Sequence, residues 1–190
     1  MNLHKPMEVV KDANVALQML KEGNERFVKN QLVAKDTYDG DRAQFTGGQK
    51  PYAVVVCCAD SRVSPEIFFD QKLGDIFVIR NAGNVVDQTV LGSIEYAAEH
   101  LGSPLVVVCG HTSCGAVTAA YEGGEVPVNI GSIVNRIKPA VGNGRSLDEV
   151  IKVSAKNMTD IVKDDEIIKH LGTTVVTACY DVVSGVVSWL

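Results

Sequence analysis

Two short stretches carry residues whose types and spacing could do chemistry: CCADSR at 57–62 and CGHTSCGA at 109–116. His111 and Cys114 stand three positions apart where an apolar run, PLVVV, gives way to a helical pattern, which directs both side chains toward one point. The positive end of the coming helix is expected to favour the Cys114 thiolate, the form that ligates metal. An HxxC pair alone is as readily structural or accidental. Cys58, however, ends a second apolar run, AVVVC, and two cysteines with one histidine make a Cys₂His set. That set is a catalytic zinc pattern with a fourth position left free, whereas structural zinc fills all four positions with protein ligands. No CxxC pair is available to close the site here.

Asp60 and Arg62 follow Cys58 at i+2 and i+4. An aspartate beside a guanidinium is held in a two-point charge-assisted pair, which orients it and keeps it ionised. Next to zinc, such a carboxylate accepts a proton or hydrogen bond from bound water, whose pKa the metal lowers toward neutrality. Without that neighbour, Asp60 reads as a turn cap and Arg62 as a surface charge.

The elements that must position these residues follow from hydrophobic periodicity. AVVVCCA (53–59), DIFVIRNAG (75–83), PLVVVCG (104–110) and TTVVTACY (173–180) read as strands, continuously apolar as in a parallel sheet covered on both faces. Helices are expected at 12–30 (capped by Asp12 or Asn14), 64–71, 89–101 (stopped by Gly102), 113–123, 130–141 and 147–170. Residues 34–50 read as a loop, and 181–190 as a turn with a short edge strand near Trp189. Alternating strands and helices mean an α/β fold with a mostly parallel central sheet flanked by helices and an N-terminal helical arm. Ligands in such folds bind beyond the carboxyl ends of the strands, where both motifs lie.

Composition narrows the function classes. With 190 residues, 46% hydrophobic and 22% charged, the chain reads as one globular domain, its arm at 1–33 and its α/β core at 50–190. A net charge of −5 with scattered basic residues gives no footprint for nucleic acid. No apolar run approaches the ~20 residues of a membrane span. The start, MNLHKPMEVVKDAN, lacks the apolar core of a secretion signal, so the expected location is cytoplasmic. There is no GxGxxG or Walker loop, so nucleotide binding has little support. Among the five cysteines, Cys109 and Cys179 sit inside apolar strands and read as packing. Cys57 alternates away from Cys58 and reads the same way.

In their order and spacing, C58-A-D60-S-R62, FVIRNAGN (77–84), GSIEYA (92–97) and GH111TSC114GA resemble the β-class carbonic anhydrases, from about Gln49 to Ala120 and more loosely through IGSIVNRIKPAV and VVTACYDVVSG. The resemblance implies one Zn²⁺ per subunit on Cys58, His111 and Cys114, with Asp60 and Arg62 as the dyad beside it. It implies reversible hydration of carbon dioxide to bicarbonate and a proton by zinc-bound hydroxide. It further implies a pocket at a homodimer interface lined by Gln49, Phe77, Ala82 and Tyr96, with the Gly115 N–H positioning substrate. Some of these residues would come from the neighbour, which the N-terminal helix would clasp; a higher homo-oligomer is equally compatible. Read without the resemblance, Phe77 and Tyr96 are core residues and Gln49 a loop residue.

Family members whose aspartate closes onto zinc tend to carry tryptophan three residues before the zinc cysteine. Val55 stands there, which favours the open form, while Arg80 occurs in both types. The alternatives are a carbonyl sulfide or carbon disulfide hydrolase on the same ligands, and a non-catalytic zinc protein. His4, His100 and His170 remain for proton transfer, each otherwise a surface histidine.

Overall fold

The computed structural model describes residues 9–34 and 45–190; His4, the first eight residues of the expected arm and positions 35–44 of the expected loop lie outside them. Five strands form one sheet in the order β2-β1-β3-β4-β5: β1 (Ala53–Cys58), β2 (Ile76–Asn81), β3 (Leu105–His111), β4 (Thr174–Tyr180) and β5 (Val187–Trp189). The first four are parallel, and only β5 runs antiparallel, as the edge strand. Every residue of β1 and β3 is buried, which is why both are apolar throughout rather than alternating.

Alternation along β1 divides the core. Val54, Val56 and Cys58 face a cluster built with α3 (Gln88–Glu99), α4 (Gly115–Glu122), α5 (Val128–Ile137) and α6 (Leu147–Asp164). Ala53, Val55 and Cys57 face a second cluster with α1 (Ala13–Val28) and α2 (Pro65–Phe68). Burial pushes the thiols of Cys57 and Cys179 up to about 12 and about 11, and that of Cys109 well above its ordinary value. All three are small apolar fillers with no reactive thiolate.

Element boundaries depart from the periodicity: the helix expected at 64–71 is the single turn Pro65–Phe68, and α5 begins at Val128. A 3₁₀ turn, Lys138–Ala140, replaces the last turn expected of α5, because Pro139 removes a backbone donor. The run 147–170 breaks at Asp165, extended at ψ 133, whose carboxylate caps α7 (Glu166–Leu171) by accepting the N–H of Ile167 and Ile168. Cys114 stands just ahead of α4 as its N-cap rather than inside the first turn.

Helix α1 rests on its own sheet. Ala16 and Leu20 are fully buried, the latter contributing about 1.5–3 kcal/mol. Gly23 permits the approach, since a Cβ there would lie 1.7 Å from the Phe69 carbonyl oxygen. Asn24 donates to the carbonyls of Phe68 and Gly185 and accepts the Val187 N–H, tying the helix to the β4–β5 hairpin. Any clasp of a neighbour therefore falls to the outward face of α1, where Val15 is half exposed.

The Asp70 carboxylate accepts from Arg26 at 2.6 Å and from the N–H groups of Val33 and Ala34. Burial alone would raise its pKa; the guanidinium and the two amides outweigh that and hold it below the usual range. A depressed folded value means stability that is fully present above the unfolded pKa of about 4 and is lost as pH falls through the folded one. Asp70→Asn is expected to cost about 2 kcal/mol in urea unfolding near neutrality, with wild type and variant converging at acid pH, below the folded value. An equal difference at both pH values would refute the role of this charge.

Candidate metal centre

Register brings the two opening motifs together. Cys57 pairs with Cys109, so Cys58 and His111 leave neighbouring strands side by side at the carboxyl edge. A tight turn with Ser113 at φ 57 then returns Cys114 to the same point. One ligand atom each from Cys58, His111 and Cys114 lies within 4.8 Å of the others, and all three residues are buried.

The donor set fits a dication. His111 is fully buried and its Nε2 has no hydrogen-bond partner, an arrangement that is costly unless something else takes that lone pair. Its Nδ1 lies 2.9 Å from the Thr112 carbonyl. Because a carbonyl cannot donate, Nδ1 carries the proton and Nε2 is the free base. The Cys58 sulfur accepts the Gly83 N–H at 3.2 Å. A hydrogen bond from the Cys114 thiol, helped by the Gly83 N–H, holds its pKa below the ordinary thiol value. Cys114, as donor in that same bond, is pushed up, although the N–H groups of Val117 and Ala116 pull the other way. Cys58 is therefore the more acidic of the two sulfurs, where the helix end alone had favoured Cys114: the nearer negative sulfur outweighs two amide dipoles.

Asp60 and Arg62 form the two-point pair, Nε to Oδ1 at 2.9 Å and Nη2 to Oδ2 at 2.7 Å. The Arg62 backbone N–H also donates to Oδ1. The guanidinium holds the Asp60 carboxyl well below the usual carboxylate range. Asp60 is turned to Arg62 and stands outside the sulfur–imidazole group. Arg62 reaches on to the Ser113 carbonyl at 3.2 Å, linking the dyad to the loop that carries His111 and Cys114.

Two supports escaped the motif reading. Arg80 donates to the carbonyls of Cys58 and Asp60, fixing the turn between ligand and dyad. Gly83, at φ 73, delivers its N–H to Cys58 where a Cβ would strike Ile137 at 2.8 Å. The signal lay in IRNAGN, whose glycine marks a left-handed turn just past a strand.

The expected pocket residues divide. Ala82 follows β2 beside the Cys58 turn, and Gly115 opens α4 beside Cys114. Phe77 pairs with Val54, four residues before the partner of Cys58, hence about 13 Å back along the strand. Tyr96 lies against Phe77 with ring centroids 6.4 Å apart, and His100 lies 5.4 Å beyond it. Gln49 precedes β1 and lines a cleft of about 1030 Å³ with Glu99 and His100, at the opposite edge of the sheet. Within one chain, then, Gln49, Phe77 and Tyr96 do not meet the sulfur cluster.

Residues 53–187 match the family model described as carbonic anhydrase. A carbonic anhydrase of Mycolicibacterium smegmatis is 48% identical over 153 residues, covering 77% of this chain and 74% of that protein. Carbonic anhydrase 2 of Mycobacterium tuberculosis is 52% identical over 134 residues, covering 68% of this chain and 65% of its own length. Among solved structures, the Coccomyxa β-carbonic anhydrase in complex with acetazolamide superposes with TM-score 0.72 at 26% identity, covering 95% and 87% of the two chains. A tetrameric β-carbonic anhydrase of Sordaria macrospora shares the fold, with TM-score 0.71 at 23% identity and coverage of 93% and 97%.

Proposed function

Because the chain belongs to the β-class carbonic anhydrase family and is thus an enzyme of the lyase type, we propose that it catalyses the reversible hydration of carbon dioxide to bicarbonate and a proton. The observation that carries this reading is the buried Cys58–His111–Cys114 group with an ionised, clamped carboxylate beside it. Cys58, His111 and Cys114 would hold one Zn²⁺. When bound, the metal supplies Lewis acidity that makes water a nucleophile near neutrality.

The chain's own residues do the rest. Asp60 accepts a hydrogen bond from the attacking water through a carboxylate lone pair that Arg62 leaves free, which aims the water and holds its proton. Arg62 prevents Asp60 from swinging toward the sulfurs. Ala82 offers an apolar wall suited to a nonpolar gas. The Gly115 N–H, at the start of α4, faces the oxygen that gains charge as bicarbonate forms.

Gln49, Phe77 and Tyr96 are proposed to complete the pocket of a neighbouring subunit. The position of β2 at the outside of the sheet supports this, since an outer strand presents unpaired backbone groups to a partner. The assembly would then be a homodimer or a larger homo-oligomer. His100, its ring tilted against Tyr96, would stand by the same shared pocket as a proton acceptor. No helix among the described residues is long and apolar enough to cross a membrane. Five unpaired cysteines support the proposed cytoplasmic location.

Stopped-flow assay of the zinc-loaded protein with carbon dioxide and with carbonyl sulfide tests the reading. Rapid hydration of carbon dioxide is expected. Turnover of carbonyl sulfide alone would reassign the substrate, and zinc binding with neither activity would leave a non-catalytic zinc protein.

A further inference from the structure

The carbonyl that takes the His111 Nδ1 proton is itself held from a distant part of the chain. The Thr112 N–H donates to Tyr180 at 3.0 Å. Its hydroxyl donates to Asp181 Oδ2 at 3.3 Å and accepts the Val182 N–H at 3.0 Å. Asp181 is equally constrained, because its Oδ1 accepts from the N–H groups of Val183 and Ser184 and from the Ser184 hydroxyl. The turn it organises is anchored in turn by Asn24 of α1, through Gly185 and Val187.

We propose that Asp181 is the positioning residue of His111: acting through Thr112, it fixes the Nδ1–H tautomer and points Nε2 at the two sulfurs. This rests on the reading that Cys58, His111 and Cys114 hold a metal. The loop between the ligands is tied at Ser113 to Arg62 and at Thr112 to Tyr180, Asp181 and Val182. With the Asp181 bond cut, the Thr112 N–H stays on Tyr180, but the hydroxyl and the turn that holds it are released and the Thr112 carbonyl can tilt away from the ring. The imidazole then loses the acceptor that sets its orientation, and with it the basicity that a hydrogen-bonded ring N–H confers on the opposite nitrogen. Neither Asp181 nor Thr112 would touch substrate.

The test uses the full chain with Thr112→Val, Thr112→Ser, Asp181→Asn and Asp181→Ala. Zinc affinity is read by competition with a chromophoric chelator, and ligand geometry by the visible bands of the cobalt(II)-substituted protein. Thr112→Val and both Asp181 variants are expected to bind zinc about 10–100-fold more weakly with altered cobalt bands, while Thr112→Ser restores both. Wild-type affinity and bands in Thr112→Val overturn the inference, as does a lowered unfolding midpoint with unchanged bands. Should Thr112→Val fail to fold, Asp181→Asn decides by the same readings. A wild-type chain that binds no zinc would instead sink the underlying metal reading.

Discussion

Cys58→Ala and His111→Ala are each expected to take bound zinc from about one per chain to near zero at micromolar metal, and carbon dioxide hydration to the uncatalysed background. With one ligand gone, two donors remain, too few for a catalytic site that keeps three protein ligands. The fold should survive. Cys58 and His111 close strands whose remaining residues are buried and fully paired in register, so each alanine removes side-chain volume at the sheet's edge and not its ladder. A cost of about 2 kcal/mol in the metal-free protein is the expected scale. Metal content by elemental analysis and rate by stopped flow check the pair together. Full activity in a zinc-free Cys58→Ala protein would end the metal mechanism outright.

The dyad should separate binding from chemistry. Asp60→Asn keeps the shape of the side chain but removes its charge and half of its accepting capacity. Zinc content is expected to stay near wild type while kcat falls about 10²–10⁴-fold, the range for a positioned proton acceptor. Arg62→Ala leaves the carboxylate ionisable and held only by the backbone N–H of residue 62, and releases the Ser113 carbonyl as well. A loss of about 10–100-fold is expected there. The freed Asp60 gains access to the sulfur–imidazole group, so the variant should also show a cobalt spectrum with an added carboxylate donor. Unchanged kcat in both variants with zinc retained would mean the carboxylate plays no part in the rate.

Much of the architecture was legible because strands buried on both faces must be apolar throughout, and AVVVCC and LVVVC admit no other reading in an α/β pattern. The order of elements followed, as did the short edge strand near Trp189, whose antiparallel direction the structure added. Boundaries slipped where a local capping group overruled periodicity, as at Asp165, or where proline ended a helix early, as at Pro139. Which cysteines to set aside was also legible, since alternation alone sends Cys57 to the far face from Cys58.

By itself the sequence determined the chemical vocabulary: two thiols, an imidazole, a carboxylate and a guanidinium, each placed where a strand stops. Spacing within one motif is short enough for local geometry to dictate it, as with Asp60 and Arg62. The tertiary structure alone decided matters that depend on contacts between residues far apart in the chain. It drew Cys58 within reach of His111, made Cys58 the more acidic sulfur, and put Asp181 behind Thr112. It also left Gln49, Phe77 and Tyr96 at the other edge of the sheet. The physical reason is strand register: a parallel sheet sets which distant residues share an edge, and no local preference of the chain encodes that pairing.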